Sequence, residues 1–432
     1  MNFFFKAIDN SPLIVFRIFF GFLVACESFG AIVTGWVKRV FIDPEFTFSF
    51  IGFDWLQPLP GYGMYCYFIL MGFFGLAIMF GYRYRIAIIA YTLLWAGAYF
   101  MQKSSYNNHY YLLLLISFLL IFLPANRYAS LDVKQDRVKE ENTMPYWISF
   151  LFIIQIAIVY IFASIAKLYP DWLDGTFTRN LLADSTKVIA LKKLFLHKWF
   201  FMFIAYMGIL FDLLIVPLLL FKRTRIFALI ASLIFHLFNA VFLEIGIFPF
   251  FALTFALFFY EPETIRRLFL RKKPKLEDEN LSQNFYGKRI LYFLMIPYLI
   301  IQIALPLRHH FIEGDVLWTE EGHRLSWRMM LRERNGYITI KIKDTISGEE
   351  SIYNYRKNLT DKQAQNLATK PDFIWQYCQR IKEEYKGKPI AIYIDCKNSI
   401  NRKEYKTLID PKFDMAKAKW SHFKHNKWIE LQ

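Results

Sequence analysis

WISFLFIIQIAIVYIFASIAKLYPDW, residues 147–172, decides the fold. From Trp147 to Ala166 the chain carries no charged residue. An α-helix rises about 1.5 Å per residue, so about twenty such residues cross a hydrocarbon layer about 30 Å thick. The run closes on Lys167 and Tyr169-Pro170-Asp171, where a proline and polar groups end a helix at an interface. Working outward, comparable runs recur at Pro12–Trp36, Gly61–Phe80, Ile86–Met101, Asn107–Leu123, Phe200–Leu220, Ile226–Leu243, Gly246–Tyr260 and Ile290–Leu305. With Tyr146–Leu168 they predict nine spans. The Gly246–Tyr260 run is short and is set off by Gly246 and Pro249, so eight is the competing count. The first run holds Arg17 and Glu27 and lacks a small-residue cleavage site, so it is expected to stay as a helix.

Composition agrees with this reading. Of 432 residues, 56% are hydrophobic and 19% aromatic, including 47 Phe and 26 Tyr, above the apolar share of about 45–50% usual in soluble domains. The formal net charge of +16 would suggest nucleic acid in a soluble protein. Here the basic residues lie in loops beside apolar runs, where topology and anionic lipid account for them. With the N-terminus inside, the inner loops hold 17 Lys and Arg and the outer loops 8. That bias, with nine spans, puts everything after Leu305 outside.

The segment 307–432 changes character. Tyr337–Ile342 alternates apolar and polar residues, Gly348 supplies a turn, and Ser351–Tyr355 reads as a returning strand. Thr360–Thr369 and Asp372–Tyr385 read as helices and Pro389–Asp395 as a further strand. The expected architecture is an α-helical polytopic membrane bundle, residues 1–306, with an extracytoplasmic α+β domain, residues 307–432. The four cysteines have no metal spacing, and a Cys378–Cys396 disulfide is left open.

Ionisable groups inside a membrane are costly, so each asks for a reason. Lys167 is either a lysine snorkelling to the outer interface or a buried base. Asn107, Asn108 and His109 open the fourth run on the same outer side. They read as an N-cap with an interfacial histidine, or as hydrogen-bonding groups that polarise an oxygen. His236 and Asn239 share a helix face in the seventh run, as an interhelical hydrogen-bonding pair or as part of a site. His109, His236 and Glu244 form a metal set only on paper, and no metal is expected. Arg17 either neutralises a carboxylate in the bundle or snorkels inward. Nucleophile-elbow, P-loop and dinucleotide motifs are missing.

Five ordered blocks resemble the vitamin K-dependent gamma-glutamyl carboxylases. They are Lys103-Ser-Ser-Tyr-Asn-Asn-His109 with Ala125-Asn-Arg-Tyr128; Ala163-Ser-Ile-Ala-Lys-Leu-Tyr-Pro-Asp-Trp172; and Phe235-His-Leu-Phe-Asn239 with Ile245-Gly-Ile-Phe248. The fourth is Trp318-Thr319 with Leu325-Ser-Trp-Arg-Met-Met330, and the last runs from Ile392 to Trp420. The resemblance implies a membrane lyase that couples epoxidation of reduced vitamin K (phylloquinol or menaquinol) to carboxylation of peptide glutamate, with carbon dioxide and dioxygen as co-substrates. It implies Lys167 as the base, with His109 beside it. Asn107, Asn108, His109, His236 and Asn239 would contact the quinone, and Trp318, Trp327 and Arg328 the glutamate-containing peptide. A bacterial-type member of the HTTM-domain membrane proteins, in the inner membrane, is the natural expectation. Two departures stand out. Ala166-Lys167 keeps only the second of two adjacent family lysines, and the loop Val37–Pro60 lacks the cysteine that ties animal members to their outer domain. A non-catalytic quinone- or lipid-binding protein, a transporter, or a membrane anchor for a peptide-binding outer domain are the competing readings.

Overall fold

The computed structural model describes residues 2–184, 192–242, 246–276 and 285–432. Among them, six helices are long and apolar enough to cross a membrane. They are α1 (Ser11–Val33), α2 (Gly63–Phe80), α3 (Tyr84–Met101), α5 (Trp147–Ala166), α6 (Lys198–Leu220) and α9 (Lys288–Phe311). Three shorter apolar helices join them: α4 (Asn108–Phe122), α7 (Arg225–Val241) and α8 (Phe248–Phe258). Each of the nine expected runs is therefore helical, and three of them are shorter than a full crossing.

The packing of α1 on α2 rests on missing side chains. A Cβ on Gly21 would lie 2.3 Å from the Met79 nitrogen, and one on Gly75 would lie 2.8 Å from the Ala25 nitrogen. Small residues let two helix backbones touch where no hydrophobic effect drives them together. Arg17 does neither of the things expected of it. Its guanidinium donates to the carbonyls of Ala125 (3.2 Å), Tyr128 (3.4 Å) and Ala129 (2.7 Å), satisfying the backbone just past the end of α4. On the inner side β1 (Ala7–Asp9) pairs antiparallel with β2 (Thr143–Pro145). The Lys273 ammonium is buried there against Asp9 Oδ1 (2.5 Å), Asn10 Oδ1 (2.6 Å) and Ser11 Oγ (3.1 Å). One of the basic residues counted for topology is thus a structural pin.

Outside, β3 (Arg334–Asp344), β4 (Glu350–Ile352), β5 (Ile390–Ile400) and β6 (Lys406–Thr407) form an antiparallel sheet in the order β4-β3-β5-β6. Ile338, Ile340 and Ile342 meet Ile392, Ile394 and Cys396 beneath α10 (Asp361–Thr369) and α11 (Pro371–Glu384). Thr360 opens α10 with a capping box to Gln363. Strand β5 runs five residues past the expected end at Asp395. Its polar Asn398 and Ser399 are buried but bonded, to the carbonyls of Ala368 (2.9 Å) and Lys403 (2.5 Å). Cys378 and Cys396 are buried free thiols, so the disulfide left open is not formed.

Contacts from the first outer loop and from Lys103 help to seat this domain on the bundle. In the first outer loop, Phe48 packs on Phe373 (ring centroids 4.6 Å) and Phe46 lies under the Arg380 guanidinium at 3.9 Å. Nearby, Asp372 accepts ion pairs from Lys103 (2.9 Å) and Arg324 (2.8 Å). Burial, then Arg324, bring the Lys103 ammonium down to about 8, with Asp372 opposing them.

Candidate functional site

Lys167 caps α5, and Tyr169, in extended conformation before Pro170, stops the helix there. Its side chain does not snorkel: the residue is 8% exposed. Nζ donates to the Ala163 carbonyl at 3.2 Å and to Asp212 Oδ2 of α6 at 2.5 Å, with the Trp172 ring 5.4 Å away. The next turn is fastened to the outer domain, because Asp171 accepts from Asn401 Nδ2 (2.8 Å) and Lys403 Nζ (2.6 Å).

Lys167 faces a cavity of about 430 Å³ within the bundle, which His109, Asp212, His236 and Asn239 also line. The walls are otherwise largely apolar, with Tyr160, Phe211, Phe235 and Phe248 prominent. The Phe248 ring stacks on His109 at 3.8 Å and meets His236 edge-on at 6.0 Å. His236 Nε2 shares a hydrogen bond with the Tyr160 hydroxyl (3.0 Å), while its buried Nδ1 has no partner among the described residues. Four of the polar residues singled out in sequence therefore converge on one apolar cavity. Glu244 lies outside the described residues.

Asn107 and Asn108 face elsewhere. Asn107 caps α4, its side chain accepting from the Tyr110 amide at 2.7 Å. Asn108 accepts from the Tyr106 hydroxyl (2.9 Å) and donates to the Arg328 carbonyl (3.1 Å). Both border a second chamber of about 440 Å³, just outside the first. His109, Met329 and Met330 line both spaces and form their common wall.

The upper chamber has the opposite chemistry. Arg324, Arg328, Arg332, Arg334 and Lys370 line it against one carboxylate, Glu320. Burial opposes the Glu320 charge, but Arg332, His323 and Arg334 outweigh it and hold the carboxyl well below the usual range. Burial followed by Arg324 lowers Lys370 to about 8, and burial followed by Arg332 lowers Arg328 to about 10. The loop carrying these groups places Glu320, Leu325, Trp327 and Met330 in the left-handed region, at φ 62, 60, 55 and 48. Such strain persists only where surrounding structure enforces it, and it gathers here around the common wall.

A third space, an open groove of about 890 Å³, runs between the outer ends of α5 and α9 and the outer domain. It is the largest of the three, yet it includes neither Lys167 nor His109. Arg328 lines both this groove and the upper chamber. Trp318 borders the groove and is fixed by its indole N–H to the Glu430 carbonyl (2.8 Å). Trp327 is 1% exposed, packs on Tyr111 at 5.0 Å and borders none of the three spaces. The sequence reading missed Asp212, Tyr160, Phe248, Glu320 and Lys370. For Asp212 the signal was present: it is the one carboxylate within Phe200–Leu220.

Comparison with known families gives two matches. The HTTM domain matches residues 5–263, and the vitamin K-dependent gamma-carboxylase lumenal domain matches residues 287–432. No solved structure matches the chain. The apolar helices and the lumenal-domain match make this a multi-pass membrane protein with an extracytoplasmic C-terminal domain. With its membrane half of the HTTM type and its outer half of the carboxylase lumenal type, the chain belongs to the vitamin K-dependent gamma-glutamyl carboxylase family.

Proposed function

We propose that this protein, in a bacterial inner membrane, couples epoxidation of a reduced vitamin K to carboxylation of glutamate in a peptide. Carbon dioxide and dioxygen are the co-substrates. The observation that carries this reading is the pair of chambers with opposite chemistry and one common wall. An apolar cofactor and an anionic acceptor suit the two sides of His109, Met329 and Met330.

The lower cavity fits a quinol head group. Its volume falls in the range of about 300–1,000 Å³ usual for small-molecule sites, and its walls are largely apolar with few polar groups. Nδ1 of His236, without a partner among the described residues, is a buried polar atom with a hydrogen bond still to make. His109 and His236, on two sides of Phe248, would hold the ring oxygens, and Phe211 and Phe248 would hold the ring face. Exposed Phe203, Met207 and Ile234 between α6 and α7 leave an apolar way out for a prenyl tail. When bound, reduced vitamin K supplies the electrons for oxygen chemistry and the strong base that carboxylation requires.

The chain's own residues do the rest. Lys167 Nζ takes the proton of a ring hydroxyl, as general-base catalysis requires of a group within hydrogen-bond reach. Met329 and Met330 keep water from the boundary between the chambers. In the upper chamber Arg328, Arg334 and Lys370 receive the carboxylate of the peptide glutamate and set its γ-carbon toward the common wall.

Purified protein given a reduced vitamin K, bicarbonate and a glutamate-containing peptide is expected to yield both epoxide and carboxylated peptide. Formation of neither product would overturn the reading. Epoxide without carboxylated peptide would confine it to quinol epoxidation.

A further inference from the structure

Asp212 is the group the proposed mechanism leaves unused. It sits in α6 among apolar residues, 5% exposed, and borders the lower cavity together with Lys167. A buried carboxylate opposite a buried amine is retained only against a desolvation cost, so it asks for a role. The geometry shows one. A lysine side chain has four rotatable bonds and no preferred direction of its own. Here Nζ has two fixed acceptors, the Ala163 carbonyl at 3.2 Å on its own helix and Asp212 Oδ2 at 2.5 Å on the neighbouring one. Only the second ties α5 to α6 across the cavity wall.

We propose that Asp212 is the positioning residue for the base: it aims Lys167 Nζ into the cavity and compensates the charge that nitrogen acquires. This inference rests on the quinol reading above. In the step concerned, an O–H bond of the hydroquinone breaks, its electron pair stays on oxygen, and an N–H bond forms on the free amine of Lys167. The ammonium that results lies against the Asp212 carboxylate, so positive charge develops where a negative group is already in place. Preorganised charge of this kind stabilises a transition state without reorganisation. Loss of direction alone is also costly, because displacement of a catalytic group by about 1 Å can cost about a hundredfold in rate.

The polar, ionisable and indole groups that line the cavity with the pair are Tyr160 of α5, Trp172 and Thr178 beyond it, His109 of α4, and His236 and Asn239 of α7. None of them is a second carboxylate, so no other cavity-lining group among the described residues replaces Asp212.

The test is a graded series measured on the full-length protein in detergent or nanodiscs. Asp212→Asn keeps an acceptor oxygen and loses the charge, while Asp212→Leu loses both. Epoxidation kcat is expected to fall about tenfold in the first and at least a hundredfold in the second. The dissociation constant for menaquinone should stay within about threefold of wild type in both. A leucine variant with kcat within threefold of wild type would overturn the proposal. So would quinone affinity falling in step with kcat, since Asp212 would then only shape the cavity. A readout independent of turnover is the infrared carboxylate band identified by Asp212→Asn difference. In quinone-free protein it should move on Lys167→Met, and an unmoved band would overturn the pairing. If wild type makes no epoxide, the quinol reading fails, and the band and the binding constants still judge the pair.

Discussion

The lower cavity and the upper chamber share three residues and almost nothing else. Below the wall, a lysine, an aspartate, two histidines, an asparagine and a threonine are set among aromatic and aliphatic side chains. Above it, four arginines and a lysine crowd round one glutamate. The difference shows how one protein provides two solvents. A lysine held by an aspartate in an apolar pocket suits a proton transfer that must avoid water, whereas a cationic chamber suits capture of an anion from water. On the proposed reading, keeping both within one wall's thickness would let a product formed below act above before it is quenched.

Breaking one side should leave the other intact. The largest effect is expected from Lys167→Ala: epoxidation kcat should fall about 10²–10⁴-fold. Anion binding in the upper chamber, measured by calorimetry with a glutamate peptide, should hold. A parallel loss of both would mean that the two spaces do not work separately.

Next in size, Asp372→Ala leaves the buried Lys103 and Arg324 without their carboxylate, at a cost of about 3–5 kcal/mol. Denaturant unfolding of the outer domain should register it, while quinone affinity stays near wild type.

A third effect separates the chambers by pH. The Lys370 ammonium is present below about 8 and is lost above it. Peptide carboxylate binding should therefore weaken about tenfold as pH rises through that value, the scale of one charge-assisted hydrogen bond. Lys370→Met should abolish that dependence. Quinone binding below the wall should not follow this titration.

The smallest effect tests the stacking of Phe248 on His109. Phe248→Leu should weaken quinone affinity by about 0.5–1.5 kcal/mol and leave peptide binding alone.

The two chambers also differ in how much of them could be read beforehand. Inside a membrane every polar residue is exceptional, so Lys167, His109, His236 and Asn239 stood out against their apolar runs. Asp212 was open to the same argument and was overlooked. Tyr160 and Phe248 gave no such signal, because Phe and Tyr are common throughout this chain. In the outer domain nothing in the local sequence sets Arg332, Arg334 and Lys370 apart from ordinary surface charge. Their convergence depends on the left-handed loop around Trp327 and on the placement of α10 beside it, neither of which has a local sequence period. Trp327 illustrates the limit: its block resembled the family, yet the ring is buried packing against Tyr111. Elements fared better than contacts, since hydropathy marks a helix, whereas the ends of β5 depend on its partner strand.

The clasp of Phe46 and Phe48 on α11 has a practical consequence. Where animal relatives join this loop to the outer domain with a disulfide, here an aromatic cluster and a guanidinium make the join, and all four cysteines are free. The joint between the two halves is therefore indifferent to redox potential. It needs no oxidase or isomerase to mature, and it should survive millimolar dithiothreitol during purification.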